Sequence, residues 1–241
     1  MSAKKLTIIA RYNEDIEWTL DLDGDIIIYN KGNDWPWEDI PRVDVENYGR
    51  EAETFIRSII ECYEMIDNYD CVSFVQGNPF DHDDDPVESI NEYNSDKIVF
   101  LANSMVTYQL PTERKYFDSE AATICKLFRK EFQPTATFVK LDGNLAENDD
   151  RGLEITTSVY FAQILGLDLS LREITYSAGA QYIIPVSYIK SKNFDWWVEF
   201  YTLIQDWRSI NPGDEVAAYC ERMWLSIWNH KCHLDQKNPV D

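Results

Sequence analysis

Leu6-Thr7-Ile8-Ile9-Ala10, broken off by Arg11-Tyr12-Asn13-Glu14-Asp15, is the stretch whose reading decides the fold. A short apolar run of this kind reads as a buried strand. Delivering a dense polar cluster to a strand's carboxyl end is how open α/β sheets build ligand sites, because side chains from several strands converge in the crevice there. The stretch therefore predicts an α/β sheet with a small-molecule site, of the kind that takes a nucleotide, at the end of its first strand.

Working outward, apolar strand-like runs alternate with helical periodicity, which favours α/β over segregated α+β. Asp25-Ile26-Ile27-Ile28-Tyr29 reads as a second strand closed by Asn30-Lys31-Gly32, and the residues between the two strands are too few for a long crossover helix. Residues 33–47, with two prolines and two tryptophans, read as a loop. From Gly49 the period changes. Ala52, Phe55, Ile56, Ile59, Ile60 and Tyr63 share one helical face, with Arg50, Glu53 and Arg57 off it. Cys71-Val72-Ser73-Phe74-Val75 is a third strand, and Pro79 and Pro86 mark the polar segment after it as a loop. The expected order then runs through a strand at 97–102, a helix at 118–130, a strand at 138–141, an acidic turn at 142–151 and a helix at 155–165. A strand at 179–184 and helices at 194–208 and 214–229 close it. No repeat or linker divides the chain, so residues 1–241 read as a single domain.

Composition sets the bounds on function. With 241 residues, 44% apolar and 14% aromatic, the chain can bury a full core without staples. No apolar run approaches the roughly 20 residues of a membrane helix. The apolar segment near the N-terminus is too short for a signal peptide, so a cytoplasmic protein with no membrane span is expected. Five cysteines without a CxxC pair point to buried free thiols rather than disulfides or structural zinc. The 22 Lys and Arg against 43 Asp and Glu give a net charge of −21, which demotes nucleic acid and anionic membranes as partners. Basic stretches at Arg114-Lys115, 126–130 and 190–192 leave room for a cleft that accepts an anionic substrate.

An ordered set of motifs carries a resemblance. Ala10-Arg11-Tyr12-Asn13-Glu14-Asp15 with Trp18, Ile28-Tyr29-Asn30-Lys31-Gly32, Gly49-Arg50-Glu51-Ala52 with Phe55, and Phe74-Val75-Gln76-Gly77 come first. Ser177-Ala178-Gly179-Ala180-Gln181-Tyr182 and Glu221-Arg222-Met223-Trp224 follow. Together they resemble the domain family labelled DUF3431, over most of the chain. That resemblance implies a single GT-A-like, Rossmann-related domain with a mostly parallel mixed sheet flanked by helices. It also implies a glycosyltransferase that uses a nucleotide sugar of the UDP type as co-substrate and an unidentified hydroxyl acceptor: a glycan, a protein or a hydroxylated nucleobase of viral DNA.

The candidate residues follow from these motifs. Tyr12-Asn13-Glu14 is similar to the nucleotide-contacting triplet after strand one in many such transferases, with Asn13 offering amide hydrogen bonds and Tyr12 or Trp18 an aromatic face. Arg11, Gln76 and Asn78 lie at the same strand ends, and Gln181, beside Gly179, is expected to bind sugar or acceptor. Arg50 at a helix start is placed to meet phosphate oxygens. The alternatives are that Asn13 and Asp15 cap a turn and that Arg50 pairs with Glu53 or Glu46. Strand three ends in Gln76-Gly77-Asn78 where GT-A enzymes commonly carry Asp-x-Asp for a divalent cation, a departure from that pattern; Asp81 and His82 follow closely enough to be candidate ligands for Mn²⁺ or Mg²⁺, the alternative being a solvated acidic loop. Glu221, at the edge of the Val216, Cys220, Met223, Trp224, Ile227 stripe, is the candidate general base; the alternative is a buried partner for Arg11 or Arg50. Two other functions fit the same residues: a catalytically silent nucleotide- or carbohydrate-binding module, and a metal-dependent phosphohydrolase built on His82 and Asp81 to Asp85.

Overall fold

The apolar runs of the N-terminal third pair side by side. In a computed structural model that describes residues 3–37, 40–103, 105–109, 165, 173–177, 179–210 and 216–228, β1 (Lys5–Arg11) lies between β2 (Asp25–Asn30) and β4 (Cys71–Gln76), parallel to both. The β1 to β2 connection carries only a 3₁₀ turn, Glu17–Asp21. β2 pairs in turn with β3 (Arg42–Asp44), a three-residue strand inside the segment expected to be loop. On the other side, β8 (Tyr182–Pro185) pairs antiparallel with β4 and then with β5 (Val99–Phe100), far shorter than the strand expected at 97–102. The sheet order is β3-β2-β1-β4-β8-β5, mixed but mostly parallel. A separate antiparallel pair joins β6 (Met105–Gln109) to β7 (Glu173–Ser177).

Strands buried on both faces are expected to be mostly apolar, and β1 and β4 are, with Thr7 and Ser73 as buried exceptions between their apolar residues. Leu6, Ile8, Val72, Phe74, Tyr182 and Ile184 face α1 (Arg50–Glu61), α4 (Phe194–Ile210) and α5 (Val216–Trp228). That core is aromatic: Trp224 and Trp228 stack at 5.3 Å, with Phe74 beneath Trp228 and Trp197 beside it. Ile9, Ile28, Val75 and Ile183 form a second core with Ile16 and with Ile90 of α2 (Pro86–Asn91). Pro86 starts that helix rather than excluding one, since the first helical residue needs no N–H partner. One turn of helix, α3 (Val186–Ile189), leads from β8 toward α4.

Helix α1 buries Ala52, Phe55, Ile56 and Ile59 as its periodicity predicts. Glu53, expected off that face, is buried too, for reasons given below. Cys62, Cys71 and Cys220 are buried free thiols. No helix among the described residues is long and apolar enough to cross a membrane. The elements expected at 118–130, 138–141 and 142–151, and that at 155–165 except Leu165, lie outside the described residues, as do Cys125, Cys232, Asp149, Asp150, His230 and His233.

Candidate functional site

Between β1 and β4 the strand order reverses, which is where α/β sheets open a crevice beyond the carboxyl ends. A crevice of about 670 Å³ lies there. Its walls come from the end of β1 (Ala10, Arg11, Tyr12, Glu14), Lys31 after β2, Gln76 ending β4, Asn47, Arg50 and Glu51 at the start of α1, His82, Gly179, and Ala217, Ala218, Glu221 and Arg222 on α5. A second hollow of about 460 Å³ shares Tyr12, Lys31 and Asn47 with it and runs past Trp35, Arg42 and Asp44.

The expected residues divide into those that face the crevice and those that build it. Tyr12 is 48% exposed and lines both hollows, so it, rather than Trp18, supplies an aromatic wall. Trp18 turns away, donating from its indole N–H to the Gly77 carbonyl at 2.9 Å and meeting Phe80 edge-on. Arg50 lines the crevice; of the acids named as its alternative partners, Glu53 meets Lys31 and Arg57, and Glu46 meets Arg208.

Arg11, by contrast, is 1% exposed. Its guanidinium donates to the Glu14 carbonyl (2.8 Å), Asn30 Oδ1 (2.7 Å), the Asp34 carbonyl (2.8 Å) and Asp34 Oδ1 (3.1 Å), four bonds from five N–H donors. It ties β1 to β2 and the loop beyond, with Trp37 against it at 5.0 Å. Glu14 folds back to accept from the amides of Tyr12 and Asn13 at 2.6 and 3.1 Å. Asn13 Oδ1 accepts from Asn33 N at 3.1 Å, and its side chain stands outside both hollows. Asp15 Oδ1 accepts from Glu17 N at the start of the 3₁₀ turn, so of the two residues named as caps Asp15 meets the turn and Asn13 does not. Gln181 corrects the sequence reading. It is fully buried, accepts from Gln76 N at 3.1 Å and donates to the Pro79 carbonyl at 3.2 Å, bridging β4 to its following loop instead of meeting a ligand. Gln76 lines the crevice and donates its amide to the Gly179 carbonyl at 2.8 Å. Asn78 does not line it.

Of the two metal candidates, His82 lines the crevice, its ring packed against Gly179, whereas Asp81 is exposed and outside. Among the described residues no three His, Cys, Asp or Glu side chains gather as a metal group. Asp81 and His82 thus do not fit as a ligand set for Mn²⁺ or Mg²⁺.

Glu221 sits on α5 beside the buried stripe, as expected. Oε1 accepts from Gly179 N at 2.9 Å, and Oε2 is 3.8 Å from Arg222; Arg11 is engaged elsewhere. Two further charged groups were missed. Half-buried Glu51 has its pKa pushed up to about 7 by burial, with the charge of Glu221 adding to the effect. Lys31 is buried with Glu53 at 2.9 Å; burial lowers its pKa and Glu53 opposes the shift. Both stood inside the quoted motifs, and only their proximity to α5 and α1 in the fold reveals what they do.

Backbone strain concentrates at the same place. The only non-glycine residues with positive φ among those described are Arg50 (47°) and Ala180 (50°). Each follows a positive-φ glycine, Gly49 (63°) and Gly179 (87°), so the crevice is flanked by two left-handed corners. Such strain persists where surroundings over-determine it, typically at sites that must aim a group.

Compared with family models, curated proteins and solved structures, the chain finds no match. Fold and geometry define it as an α/β protein with a crevice lined by charged residues at the switch point of a mixed sheet.

Proposed function

We propose that the chain is a glycosyltransferase that takes a sugar from a nucleotide-sugar donor and hands it to a hydroxyl acceptor. The observation that supports it is the crevice's charge layout: Arg50 at a helix N-terminus on one wall, Glu221 on the other, with the switch point between them. Arg50 and the first turn of α1 would receive the donor diphosphate, and Tyr12 and the second hollow past Trp35 would take the nucleoside. Glu221 would accept the acceptor's proton on Oε2 as the acceptor oxygen bonds to the anomeric carbon, and the nucleoside diphosphate leaves with the electron pair of the broken C–O bond. The sheet with its β3-β2-β1-β4 half and the ordered motif set agree with a GT-A-like enzyme of the DUF3431 kind. A divalent cation on the diphosphate belongs to that resemblance, and no step here is routed through one.

Thermal-shift and calorimetric titration with UDP- and GDP-sugars, with and without Mn²⁺, tests the reading. Stabilisation by a nucleotide sugar followed by donor turnover supports it. Binding with no turnover against glycan, peptide or hydroxymethylated nucleobase acceptors would reduce the chain to a binding module, and absence of any binding would remove the donor site.

A further inference from the structure

We infer that Lys31 is a positioning residue for Arg50, acting on the crevice through the main chain rather than by touching ligand. The inference rests on the reading that Arg50 receives donor phosphates.

An ammonium has three N–H donors, and Lys31 spends them on the Tyr48 carbonyl, the Arg50 carbonyl (2.5 Å) and Glu53 Oε2 (2.9 Å). Its side chain is 4% exposed although Lys31 borders both hollows. The two carbonyls bracket Gly49-Arg50, the corner in which both residues are left-handed. An arginine at φ 47° would relax toward the ordinary helical region unless its surroundings fixed it, and a cation drawing both flanking carbonyls to one point does so. The anchor beneath is itself held. Glu53 Oε1 meets Arg57 at 2.7 Å and accepts from the Tyr201 hydroxyl at 3.0 Å, tying the cluster to α4. The corner also rests directly on it, since a Cβ on Gly49 would stand 2.6 Å from Glu53 Cβ. Lys31 thus joins the end of β2 to the start of α1 and fixes the direction in which Arg50 leaves the helix.

A double-mutant cycle on the full chain tests this, with inorganic pyrophosphate as probe in calorimetry at fixed pH and ionic strength, and circular-dichroism melts as the folding control. Arg50→Ala should weaken pyrophosphate by about 10- to 100-fold. Lys31→Met should weaken it by at least about 5-fold while Arg50 is present and by less than about 2-fold once Arg50 is alanine. A ligand contact or a simple loss of positive potential would instead multiply with the Arg50 loss, and that outcome, or unchanged affinity in Lys31→Met, overturns the inference alone. Should Lys31→Met fail to fold, Lys31→Arg, which keeps the charge beside Glu53 but not the single-point grip, takes its place in the cycle with the same expectation. A wild-type protein that binds no pyrophosphate overturns the donor reading and this inference with it.

Discussion

At Gly49-Arg50 the left-handed corner is gripped by an ammonium that donates to carbonyls; at Gly179-Ala180 the grip is a carboxylate that accepts from an amide, helped by the Gln76 carboxamide on the next carbonyl. The same backbone device is therefore built twice with opposite charge. On the first wall the clamp, Lys31, and the group it aims, Arg50, are different residues. On the second wall the clamp and the proposed working group are one residue, Glu221. Structure and chemistry can be separated by substitution on the first wall, whereas on the second only a change that keeps the hydrogen bond and removes the charge can separate them.

Glu221→Gln is that change, and it should have the largest effect. The amide oxygen still accepts from Gly179 N, so the melting temperature should stay near wild type while kcat falls by on the order of 10²–10⁴. Steady-state kinetics beside a melt checks it; normal turnover in a stable variant would end the base assignment. Next in size is Gly179→Ala. The residue sits at φ 87°, and a Cβ would stand 2.3 Å from the His82 ring. Urea unfolding should show a loss of about 2–4 kcal/mol, and a comparable one for Gly49→Ala, where the new Cβ would stand 2.6 Å from Glu53 Cβ. Losses under about 1 kcal/mol at both would show that neither corner is held as described.

The third effect is on pH dependence. Folded Glu51 holds its proton up to a pH of about 7, whereas an unfolded glutamate releases it near 4.3. Between those values the folded state binds more protons, so stability present below the unfolded pKa is lost as pH rises through about 7. The loss should approach about 3 kcal/mol, and Glu51→Gln should flatten the stability profile between pH 5 and 8 by that amount. Urea midpoints across that range measure it; a profile unchanged by the substitution would show that Glu51 ionises normally. The smallest effect belongs to Asn13→Ala. Because Asn13 Oδ1 serves Asn33 N, stability should drop by roughly 0.5–1.5 kcal/mol with nucleotide affinity unaltered in calorimetry.

What the chain disclosed in advance follows a physical division. β1, β2, β4, α1, α4 and α5 announce themselves because their own side chains carry the period that burial demands. β3 and β5 span three and two residues, too short to hold any period, and exist because a partner strand offers hydrogen bonds. Polar residues divide in the same way. Arg50, Tyr12 and Glu221 were legible as crevice residues because they flank strong elements. Gln181, Arg11 and Glu53 became internal struts through partners at Gln76, Asp34 and Lys31, distant in sequence and invisible to spacing.

The insertion of antiparallel β8 beside β4 sets the order in which the molecule can assemble. Cys71 faces Pro185 across that pair, so closing it means closing a loop far longer than any within β1 to β4. Such closure is slow, because its entropy must be lost before the new contacts reward it. The parallel half of the sheet should therefore condense early and wait for its acidic wall, since Gly179 and Glu221 arrive only with β8 and α5. During refolding, pyrophosphate binding at Arg50 should return with the sheet's circular dichroism, whereas donor turnover, which needs Glu221, should appear only with the slowest phase of tryptophan fluorescence.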